Sequence, residues 1–90
     1  MPVYKAPLRD MRFVIHELLE VEKHSNLPIF SEAPADIIDA VLEEGAKVAE
    51  EILFPLNQVG HEEGCTFNDG VVTTPTGFKE GFAEYSQGGW

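Results

Sequence analysis

Ninety residues carry six Lys and Arg against sixteen Asp and Glu, a net charge of −10, with 43% apolar and 24% charged residues. That balance excludes a nucleic-acid binder, whose phosphates require clustered cations, and excludes adhesion to an anionic membrane. One cysteine, Cys65, permits no intrachain disulfide and no Cys-rich zinc site, and no run of eighteen apolar residues could enter a bilayer.

A chain of this length hides only about 60–65% of the surface its unfolded form exposes, so stability depends on covering partners. The opening Met1-Pro2-Val3-Tyr4-Lys5 begins no long apolar run and so no secretory leader, which makes the cytoplasm the default compartment. Residues 1–9, with Pro2 and Pro7 and little periodicity, predict an extended arm. Asp10 is placed to cap a helix over 10–22, in which Met11, Val14, Ile15, Leu18 and Leu19 fall at three- and four-residue steps. Phe13 lies off the centre of that stripe. His24-Ser25-Asn26-Leu27-Pro28 reads as a loop, because Pro28 biases Leu27 away from helical angles, and Ile29 and Phe30 read as a small plug for the core.

The longest amphipathic pattern follows. Pro34 suits a first helical position, and Ile37, Ile38, Val41, Leu42, Ala46, Ala49, Ile52 and Leu53 recur with the period of one buried helix face. Asp39, Glu43, Glu44, Lys47, Glu50 and Glu51 fill the other side, the glutamates as partners of Lys47 or as solvated ions. Gly45 inside this helix suggests a close crossing by another helix. Pro55 costs about 3 kcal/mol in a straight helix, so a helix over 34–60, kinked at Pro55 and ending at Gly60, is expected. Beyond it, Cys65-Thr66-Phe67, Asn68-Asp69-Gly70 and Val71-Val72-Thr73 spell a hairpin over 65–73 with its turn at Asp69-Gly70, lying against the helices. A third helix over 76–87 places Phe78, Phe82 and Tyr85 on one side, and Gly88-Gly89 ends it before Trp90. The expected fold is all-α: three helices with a small hairpin.

Catalytic patterns do not assemble. His16-Glu17-Leu18-Leu19-Glu20 begins like HExxH but has Glu20 where the second His must stand, and Glu-x-x-His occurs at none of the three histidines. His61 and Cys65 are four apart, but Gly64 between them argues against a helical chelate. No glycine-rich loop is followed by the Lys-Ser/Thr of a phosphate site. The residues therefore name no catalytic, cofactor-binding or metal-binding position.

Read together, however, Tyr4-Lys5-Ala6-Pro7-Leu8-Arg9-Asp10-Met11-Arg12-Phe13 with His16-Glu17, then Ala49-Glu50-Glu51 leading to Pro55-Leu56-Asn57, Gly60 and Gly64-Cys65, carry a resemblance. Asp69-Gly70-Val71-Val72-Thr73-Thr74-Pro75, Gly77-Phe78-Lys79-Glu80 and Gly88-Gly89-Trp90 complete it. The chain resembles the N-terminal region of the acyl-CoA dehydrogenases, in the branch that includes methylthiopropionyl-CoA dehydrogenase. The resemblance implies a parent flavoenzyme with a helical N-terminal domain, a β middle domain and a C-terminal helical bundle. In that family a glutamate removes the proton α to the thioester while a hydride leaves the β carbon for FAD. It implies also that residues 1–90 are one partial domain, that FAD and the catalytic glutamate belong to the parent outside this chain, and that the remainder of the dehydrogenase is a partner. Met11, Val14, Ile15, Leu18, Leu19, Ile37, Val41 and Trp90 are the expected interface residues, and a homo-oligomer is expected. Two other readings stay open: a self-associating helical module with no enzymatic role, and an acidic adaptor for a basic partner.

Overall fold

A computed structural model describes residues 3–90, so Met1 and Pro2 of the expected arm lie outside the described residues. The fold is mostly α, with three helical stretches and one two-stranded antiparallel hairpin, as the sequence predicts. Two compact units make it up, one ending at Lys47 and the other beginning at Val48.

In the first unit, Val3–Pro7 is without regular structure, and helix α1 spans Leu8–Arg12, two residues ahead of the expected start. Asp10 is not its cap. Pro7 holds that position at φ −79°, its carbonyl accepting from the Met11 amide at 3.0 Å, while Asp10 sits inside the first turn, where its charge still complements the helix dipole. Phe13–Leu18 continues as a π-helical turn, closed by the Leu19 amide on the Val14 carbonyl at 2.8 Å. Glu20 then turns left-handed (φ 49°, ψ 52°), and Val21–His24 forms a 3₁₀ turn. The helix expected over 10–22 is thus broken at Glu20, whose left-handed backbone ends the helical run. Ile29 does not plug a core: it is 80% exposed, and Phe30 is exposed beside it, its ring 6.5 Å from that of His24. The Ser31 hydroxyl donates to the Pro28 carbonyl at 2.8 Å.

Helix α2 spans Ala35–Lys47. The Pro34 carbonyl accepts from the Ile37 and Ile38 amides, both at 3.0 Å, so Pro34 stands just before the helix rather than at its first position. Ala46 is the buried apolar residue of this helix, at 8% exposure. Lys47 pairs with Glu44 at 2.9 Å, whereas Glu43 is taken by another partner described below.

The second unit opens with a π-helical turn, Val48–Leu53, followed by helix α3 over Phe54–Glu63, with Pro55 in its first turn. The wider π register precedes the residue that has no amide proton to give, so the proline is met by a change of helix type. The helix does not stop at Gly60. It runs to Glu63, and Gly64 ends it at φ 66°, ψ 175°, with its amide returned to the Gly60 carbonyl at 2.9 Å. That conformation is essentially glycine-only. Nothing lies within 4 Å of a Cβ built on Gly64, so the penalty for a side chain there is purely one of backbone. Gly64→Ala is expected to cost about 1–3 kcal/mol, read as faster amide exchange in the last turn of α3. A D-alanine at the same position, for which these angles are ordinary, should restore the native rate.

Strands β1 (Thr66–Asn68) and β2 (Val71–Thr73) pair with Phe67 opposite Val72. Asp69 and Gly70 both have positive φ (52° and 83°), the mirror-image turn that the Asp-Gly pair predicts. The hairpin is not covered by the helices, however: all six strand residues are exposed. Pro75 is buried after it, and the Thr76 amide donates to Glu63 at 2.8 Å, tying the loop back to the end of α3. Helix α4 spans Phe78–Gln87, starting two residues after the expected position because Gly77 takes a left-handed φ of 87°.

Candidate functional site

Three features concentrate the chemistry and the open apolar surface. The first is a polar cluster inside the first unit. One helical turn separates Arg12 from His16, and one turn separates Asp39 from Glu43 on α2, so a guanidinium and an imidazole meet two carboxylates. Arg12 Nη2 donates to Glu43 Oε1 at 2.7 Å, and Arg12 Nε lies 3.6 Å from Asp39 Oδ1, an ion pair rather than a hydrogen bond. His16 Nε2 lies 2.8 Å from the same Asp39 oxygen, and since a carboxylate can only accept, Nε2 carries the proton. The other ring nitrogen, Nδ1, is 3.7 Å from Glu22 Oε1 and is buried without a hydrogen-bond partner, as is Arg12 Nε.

That arrangement does not present His16 to a substrate. One nitrogen is occupied by Asp39, and the other has no solvent-facing surface, so the imidazole acts as a strut between the π-helical turn and α2. Asp39 is the shared partner. Its side chain is 40% exposed and that of His16 20%, so solvent screens much of the attraction. Asp39→Ala should therefore cost about 1 kcal/mol, chiefly by leaving the partly buried imidazole without its acceptor, and Glu43→Ala less than about 0.5 kcal/mol. The single variants Asp39→Ala and Glu43→Ala, compared by amide exchange in α2, check the ranking.

The second feature is the apolar face of the first unit. Met11, Val14 and Ile15 come together with Asp10 and Leu42 around an open hollow of about 400 Å³. Met11, Val14, Leu18, Leu19, Ile37 and Val41 are all exposed, and Ile15 is half-buried. Trp90, the last of the expected interface residues, belongs to the second unit and is exposed there.

The third feature was not anticipated from sequence: a groove of about 410 Å³ in the second unit, lined by Leu53, Leu56, Asn57, Phe78, Phe82 and Tyr85. Its floor depends on a close helix approach. Gly81 is buried against Leu56 and Ile52, and Gly60 faces the Phe78 ring. Phe78, Phe82 and Tyr85 on one helical side are the sequence signal for it, while Leu53 and Leu56 opposite them merge in the sequence with the apolar face of the long helix.

A flavin adenine dinucleotide does not fit these hollows. Its pyrophosphate calls for cations or converging backbone amides, and the groove of the second unit has no charged side chain in its lining. The hollow beside Met11 has only the acidic Asp10. The hollow beside Arg9, Arg12, Phe13, His16 and Glu17 offers Arg9, but its Arg12 is already paired with Glu43 and the Glu17 carboxylate shares the lining. Among the described residues, no group of three or more His, Cys, Asp or Glu side chains could hold a metal, and no helix is long and apolar enough to cross a membrane. Cys65 is a free, exposed thiol.

Comparison with known proteins bears out the resemblance carried by the motifs. The chain is 33% identical over 87 residues to 3-methylmercaptopropionyl-CoA dehydrogenase of Ruegeria pomeroyi, a match covering 97% of this chain and 15% of that protein. It is 30% identical over 90 residues to butyryl-CoA dehydrogenase of Syntrophomonas wolfei, covering 96% of this chain and again 15% of the relative. No family model matches. This chain therefore matches the N-terminal region of the acyl-CoA dehydrogenases, and it spans 15% of the length of the curated relatives it matches.

Proposed function

We propose that these ninety residues are the N-terminal helical portion, a single partial domain, of a flavin-dependent acyl-CoA dehydrogenase-like oxidoreductase. In this reading α,β-dehydrogenation of an acyl-CoA thioester belongs to the full-length parent. The residues that bind FAD and carry out catalysis lie outside this chain, and the remainder of the dehydrogenase is the partner that covers its apolar faces. The observation that carries the reading is the match over nearly the whole of this chain to two dehydrogenases of which it spans only a small part. The polar cluster, which withholds both nitrogens of His16 from solvent chemistry, supports a structural rather than a reactive role.

The test is direct. The purified chain should be colourless and should reduce no electron-acceptor dye with butyryl-CoA or 3-methylmercaptopropionyl-CoA. The coding sequence downstream of codon 90 should encode a β domain and a further glutamate. A flavin absorbance band with substrate-dependent dye reduction would overturn the assignment of catalysis to the remainder.

A second reading, a self-associating helical module with no enzymatic role, is favoured by one observation. Leu18, Leu19, Ile37 and Val41 are exposed on helices that carry an otherwise regular apolar stripe. In that reading the covering partner is a second copy of the same chain, a homo-oligomer.

A further inference from the structure

No further inference is drawn: the strongest candidate, the apolar groove between α3 and α4 lined by Leu53, Leu56, Phe78, Phe82 and Tyr85, is an unpartnered face, and nothing in the structure shows what covers it.

Discussion

Replacing Gly81 by alanine will speed amide exchange across Phe78–Gln87 by on the order of tenfold, and replacing it by leucine will do so further. Two terms oppose each other in the alanine variant. Alanine gains about 1 kcal/mol over glycine as a helix former, whereas forcing a methyl group into a filled contact costs about 1–3 kcal/mol. The geometry decides between them. A Cβ on Gly81 collides with one methyl of Leu56, with Leu56 Cγ at 3.8 Å and Ile52 Cγ2 at 3.9 Å behind it. A leucine methyl can usually swing away at little cost, but the other methyl of Leu56 would stand only 2.8 Å from a Cβ on Gly77. Leu56 is therefore seated over two glycines at once, and the new methyl must displace it from that seat. The packing term is expected to win by about 1.4 kcal/mol, which is the tenfold change. Pairing Gly81→Ala with Leu56→Ala removes the collision and should recover part of the protection. Slower exchange in Gly81→Ala alone would show that helix propensity dominates and that the contact is loose.

A second close approach between α3 and α4 fixes where α3 ends. Two glycines four residues apart, Gly60 and Gly64, both carry the mark of a helix stop. The choice between them is made outside the helix. Gly60 remains helical with the Phe78 ring against it, while Gly64, with open space around it, is free to take the positive φ that ends α3. Local composition cannot distinguish the two, because the deciding atom comes from α4. The turn at Asp69-Gly70 was legible for the opposite reason: both residues tolerate positive φ, and the two-residue spacing leaves the hairpin little choice. The π-helical turns at Phe13–Leu18 and Val48–Leu53 left no trace in the apolar period, since one extra residue per turn shifts a stripe by less than its own width.

The polar cluster was hidden by reading each helix alone. Arg12 and His16 at a four-residue step, and Asp39 with Glu43 at another, are complementary pairs when the two helices are set side by side. Taken singly, Glu43 looks like a partner of Lys47 on its own helix, which is the role Glu44 in fact fills. Ile29 and Phe30 failed for a different reason. Their composition demands cover, but the described residues supply little, leaving Ile29 80% and Phe30 39% exposed. In physical terms the sequence records what each face requires, and burial records only what this stretch of chain provides.

The isolated chain is expected to melt without a sharp transition and to bind the dye ANS at ambient temperature. Among the described residues the buried side chains are Ala46 and Pro75, and no large side chain is fully buried. Fully burying a leucine or phenylalanine contributes about 1.5–3 kcal/mol, and that contribution is largely withheld here, while the backbone entropy lost on ordering is not. Helical circular dichroism should therefore fall gradually on heating, with little near-ultraviolet signal from Trp90 and the tyrosines. Protein concentration then separates the two candidate covers. If a second copy covers the face that carries Leu18, which is 65% exposed, the transition should sharpen and rise with concentration. It should strengthen with salt too, because each copy carries a charge of −10 that salt screens, and Leu18→Asp should abolish both effects. If the cover is the rest of a dehydrogenase, the melt should ignore concentration and become cooperative only when that polypeptide is joined to the chain. A sharp, concentration-independent melt of the ninety residues alone, with no ANS signal, would mean that the exposed apolar faces are satisfied without any partner and that neither cover is needed.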